Sequence, residues 1–490
     1  MARRSNSCLF ASFALAWLVT SAAHAQPAAA GHAPRWIERR LQVPIAGPAT
    51  AYVPNRPPDA VVVFVSGDGG WNLGVVDMAR RLATHSLVIG ISFPALRRAV
   101  TSQNGCWYPA GDLEVIARNA QKQLGLPEYH KPILLGYSSG ATLVYAALAG
   151  APAGTFAGAV SLGFCPDLEV PRKVCTAPGW KPTYAELKHV SWLPPHSQLP
   201  GKWYLLHGVQ DQVCSPDATR AFVTGMGGTH LMVLEKTGHG FSRPEHWQAQ
   251  LDAAIAALSK PKPAVVAPAA TDAARIAREL QALELPLEIT VPPASRAFLV
   301  FVSGDGGWAA LDRGVAEALY QRGVAVVGLS AIRYFWHAKT PAQLAADLRR
   351  ILQVLSEAGK PIVAGGYSFG AEVVPVALAR AVSAGRTGLA GIVAIAPAQT
   401  ASFEIDPLDW IRTPAETGFR VAPAFASLGI PILCVRPANE PESACTALAA
   451  GVGEVVTLPG SHHFNGRYAD VAAAIARFVT RISPAAGVRN

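Results

Sequence analysis

A duplicated set of short motifs constrains the fold of this chain more than any other sequence feature. Three blocks recur in the same order, namely FVSGDGGW at 64–71 and 301–308, GYSSGA at 136–141 and GYSFGA at 366–371, and GHGF at 238–241 with SHHF at 461–464. Solenoid repeats are about 20–50 residues long, so copies that lie more than about 200 residues apart indicate two duplicated domains. At about 100–200 residues per domain, a chain of 490 residues accommodates both.

Each half alternates short apolar runs with segments of helical periodicity. Runs such as VVVFVS (61–66) and PIVAGGY (361–367) are rich in valine and isoleucine, and segments such as 340–357 repeat apolar residues at helical spacing. Such alternation predicts an α/β fold in which a mostly parallel sheet has helices on both faces. We expect an N-terminal domain at 36–258 and a C-terminal domain at 275–490, joined by an exposed Pro/Ala linker at 259–274.

The first 25 residues have the pattern of a secretory signal peptide. Arg3 and Arg4 precede an apolar stretch from Leu9 to Val19, and Ala23-His24-Ala25 resembles a cleavage site. The apolar stretch is short for a membrane span of about 20 residues. The sequence therefore predicts residues 1–25 as a signal peptide and the periplasm as the location of the mature protein.

The cysteines fit an exported protein. Setting aside Cys8 in the predicted signal peptide leaves an even number, which suggests disulfides in an oxidising compartment. Local proximity favours the pairs Cys434–Cys445 and Cys165–Cys175, which leaves Cys106–Cys214. Zinc binding is not expected, because CxxC and paired-histidine spacings do not occur.

The formal net charge of +9 favours an anionic partner. Lysine and arginine form no block of five or six, so the pattern favours peripheral contact with an anionic lipid surface over nucleic acid.

Both halves carry the G-x-S-x-G pattern of a nucleophile elbow, a sharp turn that presents a serine between a strand and a helix. Ser138 and Ser368 stand at the serine position, each after an apolar strand and before a helical segment. This context distinguishes the motif from a glycine-rich turn with an inert serine.

A serine nucleophile needs a histidine base and a carboxylate that orients the base. In α/β-hydrolases the chain order is serine, acid, histidine, which selects Asp211 and His239 in the first half. In the second half, the alignment of SHHF with GHGF places His462 opposite His239 and selects it as the base. Asp211 lies three residues before Cys214 and Glu442 three before Cys445, so we expect Glu442 as the acid, with Glu440 as the alternative.

The repeated SGDGGW follows the first long strand of each half, where hydrolases place an oxyanion donor. Such donors are backbone N–H groups that face the oxygen on which negative charge develops. The predicted donors are the amides of Asp305 or Gly306 with Phe369 in the second half, and of Asp68 or Gly69 with Ser139 in the first.

The doubled SGDGGW, GYSFGAEVVP (366–375), the Cys434 and Cys445 pair and LPGSHHF (458–464) resemble the AcvB/VirJ family of bacterial virulence proteins. The resemblance covers nearly the whole mature chain, with the second half similar to the VirJ domain. It implies an exported protein of two α/β-hydrolase-like domains that hydrolyses lysyl-phosphatidylglycerol. It also implies that the working serine and histidine are Ser368 and His462.

Lysyl-phosphatidylglycerol is an aminoacyl ester, so its cleavage is acyl transfer and needs no metal or cofactor. Its amines would require a carboxylate near the nucleophile, and Asp305 and Glu372 are the predicted partners. A different possibility is an accessory protein of a secretion or virulence system that uses hydrolase folds as scaffolds and binds secretion-system proteins. A third is an esterase or peptidase for a soluble substrate. Complete Ser-acid-His sets in both halves favour an enzyme.

Overall fold

The computed structural model describes residues 35–101, 105–177, 179–259, 272–381, 388–405, 418–448 and 453–482. The predicted signal peptide and residues 260–271 of the predicted linker lie outside these ranges. A helix begins at Asp272, so the last three residues that we assigned to the linker are helical. Within the described part of the chain, every helix is too short or too polar to cross a bilayer.

The first half forms an eight-stranded main sheet. Its strands are β1 (Trp36–Val43), β2 (Gly47–Pro54), β3 (Ala60–Val65), β4 (Ser86–Ile91), β5 (Ile133–Tyr137), β6 (Gly158–Leu162), β10 (Gln198–Gly208) and β11 (Gly227–Leu234), with a small sheet of β7 (Asp167–Glu169), β8 (Thr183–Ala185) and β9 (Val190–Trp192). Its helices are α1 (Leu73–Leu82), α2 (Phe93–Val100), α3 (Pro109–Gln123), α4 (Ser139–Gly150), α5 (Pro216–Val223) and α6 (Gln248–Ser259).

The second half repeats this arrangement around a seven-stranded sheet. Its strands are β12 (Leu287–Thr290), β13 (Ala297–Val302), β14 (Val324–Leu329), β15 (Ile362–Tyr367), β16 (Gly391–Ile395), β19 (Ile432–Pro437) and β20 (Glu454–Leu458), with a pair formed by β17 (Thr400–Ala401) and β18 (Phe419–Arg420). Its helices are α7 (Asp272–Gln281), α8 (Ala310–Tyr320), α9 (Ala331–Tyr334), α10 (Pro341–Ser356), α11 (Phe369–Ala381), α12 (Val421–Leu428) and α13 (Tyr468–Ile482).

The strand orders of the two sheets match. The first sheet runs β1-β2-β4-β3-β5-β6-β10-β11 and the second β12-β14-β13-β15-β16-β19-β20, so the second lacks only a counterpart of β1. In the order of each sheet, the strands from β4 to β11 and from β14 to β20 pair in parallel. Antiparallel pairing is confined to one edge of each sheet, formed by β1 and β2 in the first and by β12 in the second. Helices cover both faces of the parallel strands, so every residue of a strand such as AVVVFV is buried. This is why these strands are continuous apolar runs. The predicted α/β fold is confirmed.

Local sequence explains where the elements begin. Thr340 caps α10, because its hydroxyl accepts a hydrogen bond from the Gln343 amide at 3.2 Å while the Gln343 side chain accepts one from the Thr340 amide at 2.8 Å. The tryptophan that ends each octapeptide packs against a glycine in the neighbouring strand. A Cβ on Gly90 would lie 2.0 Å from the Trp71 ring, and one on Gly328 would lie 2.1 Å from Trp308. The SGDGGW loop is thereby fixed over its sheet in both halves.

The disulfides correct two of the three predicted pairs. Cys434–Cys445 is confirmed, but the other bonds are Cys106–Cys175 and Cys165–Cys214. Cys165 follows β6 and Cys214 follows β10, and these strands are parallel neighbours whose ends lie side by side. Proximity in the sheet therefore overrides proximity in sequence, on which the prediction relied.

Peptide mapping of the oxidised protein checks this pairing. We expect an unreduced mass about six hydrogens below that of the thiol form, and tryptic peptides that link Cys106 to Cys175 and Cys165 to Cys214. Peptides that link Cys165 to Cys175, or alkylation of all the thiols in native protein, would contradict the structure.

Candidate active site

Both serines sit on strained turns between a strand and a helix. Ser138 lies between β5 and α4 with φ of 54°, and Ser368 lies between β15 and α11 with φ of 49°. Positive φ is rare for residues other than glycine, so these turns are held in place by their surroundings. A Cβ on Gly370 would lie 2.0 Å from the carbonyl oxygen of Val302, so only glycine permits the close packing of α11 against β13.

The first half holds a hydrogen-bonded chain of serine, histidine and aspartate. Ser138 Oγ lies 3.0 Å from His239 Nε2, and His239 Nδ1 lies 2.9 Å from Asp211 Oδ2. The other carboxylate oxygen of Asp211 accepts bonds from the amides of Val213 and Cys214, each at 2.9 Å. The Asp211 carboxylate is fully buried, with 0% side-chain exposure. This geometry is that of a Ser-His-Asp triad.

The second half holds the corresponding chain with a glutamate. Ser368 Oγ lies 2.8 Å from His462 Nε2, and His462 Nδ1 lies 3.0 Å from both carboxylate oxygens of Glu440. This site is more open than the first, because the side chain of His462 is 40% exposed against 15% for His239. The adjacent His463 pairs with a different group, since its Nδ1 lies 3.1 Å from the Tyr367 hydroxyl, and burial lowers its pKa.

The acid is therefore Glu440, and the assignment of Glu442 is wrong. The Glu442 side chain is exposed, and its backbone carbonyl accepts a hydrogen bond from Gln399. The prediction aligned Cys445 with Cys214, but these cysteines form different disulfides and are not equivalent.

The distance along the chain from the end of the preceding strand identifies the equivalent acids of the two halves. The amide of Asp211 donates to the carbonyl of Gly208, the last residue of β10, and the amide of Glu440 donates to the carbonyl of Pro437, the last residue of β19. Both acids thus stand three residues after their strand. Counting forward from the end of the strand, rather than back from the cysteine, selects Glu440.

The SGDGGW loops lie beside the nucleophiles, as predicted for oxyanion loops. A Cβ on Gly67 would lie 3.0 Å from Ser138 Cβ, and one on Gly304 would lie 3.8 Å from Ser368 Cβ. The second predicted donors, the amides of Ser139 and Phe369, belong to the first residues of α4 and α11, whose N–H groups have no partner within the helix.

Within each loop, two residues were predicted as alternative donors. The Gly306 amide donates to Asp305 Oδ1 at 3.0 Å, so the Asp305 amide is the better candidate in the second half. In the first half, Asp68 and Gly69 are both exposed, and the Asp68 carboxylate accepts a hydrogen bond from the Ser139 hydroxyl.

The two sites differ most in acidic groups near the serine. Glu372 lies one helical turn beyond Ser368, is half-buried and accepts a hydrogen bond from the Ala398 amide at 3.0 Å. Burial raises the pKa of Glu372 to about 7, and the nearby Asp305 carboxylate adds to the shift. In the first half, the equivalent position is Thr142, whose hydroxyl donates to the Cys165 carbonyl at 2.8 Å. A pair of carboxyl groups thus flanks the second nucleophile and not the first.

An aromatic cluster also borders the second nucleophile. Phe369 packs edge-to-face on Phe335 with ring centroids 4.8 Å apart, and Phe335 in turn contacts Phe403. Sequence reasoning missed Phe335 and Phe403, because neither lies in a repeated block. Only the folded chain brings them to the elbow.

Asp211, Cys214 and His239 are close enough together to suggest a metal site, with potential ligand atoms within 4.8 Å of one another. The Cys214 sulfur is bonded to Cys165, and the other two groups hydrogen-bond within the triad. These contacts account for the cluster as the acid and base of a serine nucleophile.

Solved structures with similar folds align with about one half of the chain. Est1E from Butyrivibrio proteoclasticus is 18% identical, with a TM-score of 0.29 over 40% of this chain and 92% of that one. A dienelactone hydrolase from Anabaena variabilis is 16% identical, with a TM-score of 0.30 over 40% of this chain and 90% of that one. No curated protein matches the sequence. We assign the α/β-hydrolase fold from the strand order and the elbows described above.

One family model matches both halves. The family described as bacterial virulence protein (VirJ) matches residues 59–158 and 296–482, which together make up more than half of the chain. The matched segments contain both SGDGGW loops and both nucleophile elbows, and the second also contains Glu440 and His462. The chain therefore belongs to the VirJ family of bacterial virulence proteins.

Proposed function

We propose that the second half is a serine ester hydrolase that cleaves aminoacyl esters of membrane phospholipids, with lysyl-phosphatidylglycerol as the substrate. The observation that carries this proposal is the Ser368–His462–Glu440 chain beside the carboxyl groups of Asp305 and Glu372. The hydrogen-bonded chain can perform acyl transfer, and the two carboxyl groups can bind an acyl group that carries ammonium groups.

Acylation follows from the hydrogen bonds at Ser368. Its Oγ attacks the ester carbonyl while His462 Nε2, 2.8 Å away, accepts the hydroxyl proton. Glu440 at His462 Nδ1 holds the ring in the required tautomer and stabilises the imidazolium. The amides of Asp305 and Phe369 would stabilise the oxyanion, each donor contributing roughly 3–4 kcal/mol. The intermediate collapses as the carbonyl–oxygen bond to the glycerol breaks, and His462 protonates the departing alkoxide.

Deacylation uses the same groups in reverse. Water attacks the lysyl ester of Ser368 while His462 accepts its proton, and the proton then returns to Ser368 Oγ as the acyl–serine bond breaks. The products are lysine and phosphatidylglycerol.

The proposed setting is the periplasmic face of a membrane. The three disulfides indicate an oxidising, exported environment. The net charge is +9 for the full chain and 9 − 2 = +7 without Arg3 and Arg4 of the predicted signal peptide, and it favours approach to anionic lipids.

A pair of soluble esters tests the role of the acidic groups. Lysine ethyl ester and norleucine ethyl ester have side chains of similar length, and both carry the α-amine, but only lysine carries the ε-ammonium. The pKa of Glu372 is raised to about 7, so its anion forms only as the pH rises through that value. We expect kcat/KM for the lysine ester, relative to the norleucine ester, to be at least about tenfold higher above pH 7 and to fall below it. Tenfold corresponds to about 1.4 kcal/mol, and a hydrogen bond to a charged group contributes about 1.5–3 kcal/mol.

Glu372→Gln is the matched variant, because it keeps the size of the side chain and its acceptor oxygen for the Ala398 amide. It should bring the lysine-to-norleucine ratio close to one and remove its pH dependence. An unchanged ratio would eliminate Glu372 as the ammonium partner. A wild-type ratio near one would argue against a cationic acyl group while leaving ester hydrolysis in place.

A further inference from the structure

A segment of the first half packs against the second half. Trp336 Nε1 donates to the Leu126 carbonyl at 2.8 Å, and His337 Nε2 lies 2.9 Å from the Pro127 carbonyl. Tyr129 is buried within the core of the second half, where its ring contacts that of Trp336. Helix α3 and the segment that follows it are therefore anchored on the domain that carries Ser368.

This packing brings the buried Arg118 of α3 to the SGDGGW loop of the second half. Its side chain is 1% exposed and donates a hydrogen bond to Glu114. Arg118 Nη2 lies 3.8 Å from the position that a Cβ on Gly306 would occupy. Burial disfavours the cationic form of Arg118, but the charges of Glu114 and Asp305 favour it, and the net effect raises the pKa of Arg118. A guanidinium thus stands among carboxylates that belong to both halves.

The identical loop of the first half has a different environment. Asp68 and Gly69 are exposed, whereas Asp305 and Gly306 are half-buried. In the first half, the Ser139 hydroxyl bonds to the Asp68 carboxylate and ties the loop to the nucleophile elbow. Phe369 replaces Ser139 in the second half and has no side-chain donor. The same octapeptide therefore needs a different support there, and Arg118 lies where that support is required.

We propose that Arg118 of the first half is a positioning residue for the second active site. It holds the loop at Asp305 and Gly306 in the conformation in which the Asp305 amide faces the acyl oxygen on Ser368. The first half is thereby part of the second catalytic site, whatever its own serine does. This inference rests on the proposed function only in taking Ser368 as a nucleophile with an oxyanion site.

Labelling with a fluorophosphonate tests this in the full-length protein. The probe phosphonylates an activated serine and expels fluoride, so its rate depends on the oxyanion site and on no natural substrate. Mass spectrometry of the peptides that contain Ser368 and Ser138 gives both rates from one sample. Because removing Arg118 alone would leave the buried Glu114 carboxylate unpaired, the main variant is Arg118→Met combined with Glu114→Gln.

We expect this variant to label Ser368 at least about tenfold more slowly, a fraction of the 10²- to 10³-fold effect of losing an oxyanion donor. Labelling of Ser138, which shares a domain with the substitutions, should stay within about twofold of wild type. Arg118→Lys should restore part of the Ser368 rate, because it returns the cation. Glu128→Gln, which removes only the exposed ion pairs of Glu128 with Arg333 and His130, is the control and should leave both rates unchanged. A Ser368 rate within twofold of wild type, or one that falls only in step with Ser138, would overturn the proposal.

Discussion

Replacing Ser368 with alanine is expected to lower ester turnover by a factor on the order of 10⁶, the loss typical of removing a triad serine. The reason is local: without Oγ, His462 Nε2 has no nucleophile to deprotonate, and the acyl-enzyme cannot form. Turnover of lysine ethyl ester should be measured in a chain that already carries Ser138→Ala, so that the first site contributes no background. Far-ultraviolet circular dichroism should be unchanged, since the substitution removes one oxygen from a half-buried side chain.

Ser138→Ala alone should retain most of the turnover of this ester. The first site has the better buried acid, Asp211, but its counterpart of Glu372 is Thr142, whose hydroxyl is bonded to the Cys165 carbonyl. An acyl group with ammonium groups therefore finds a pair of carboxyl groups, Asp305 and Glu372, only at the second site. If Ser138→Ala abolishes turnover and Ser368→Ala spares it, the assignment of the working site is wrong.

Glu440→Gln should lower kcat by about 10²- to 10⁴-fold with a smaller effect on KM. Loss of a triad carboxylate costs up to about 10⁴, and the lower bound reflects the 31% exposure of the Glu440 side chain, which lets water replace part of its effect. Glutamine cannot stabilise the imidazolium that forms on His462 as the proton leaves Ser368.

Glu442→Gln is the matched control, because Glu442 lies two residues along the same loop and its side chain is exposed. Its kcat should stay within about twofold of wild type, as for a surface substitution away from the site. A large loss of kcat in Glu442→Gln with little change in Glu440→Gln would show that the loop after β19 adopts another register during catalysis.

Sequence alone predicted the parallel core closely. The run PIVAGGY at 361–367 became β15 at Ile362–Tyr367, and the helical pattern over 340–357 became α10 at Pro341–Ser356. Buried parallel strands and their helices have strong periodic signals. The antiparallel edge strand β12 was not predicted, because its four residues are only half-buried and carry a weak pattern.

The serines and histidines of the two candidate sites were predictable for a related reason, since the repeated blocks place each after a strand. What the sequence could not reveal depends on contacts between distant segments. Cys165 pairs with Cys214 because β6 and β10 are neighbours, and Arg118 reaches Gly306 from the other half of the chain. No local pattern marks either contact.

The most direct test of the central claim is incubation of the oxidised, full-length protein with vesicles that contain lysyl-phosphatidylglycerol, followed by chromatography of the lipid and the released amino acid. Hydrolysis at the second site predicts free lysine and phosphatidylglycerol in equal amounts, with loss of both products in Ser368→Ala. Vesicle lipid that stays intact while the same protein cleaves lysine ethyl ester would contradict the lipid substrate. Intact lipid together with an uncleaved soluble ester would contradict the enzyme itself and favour an accessory role in a secretion or virulence system.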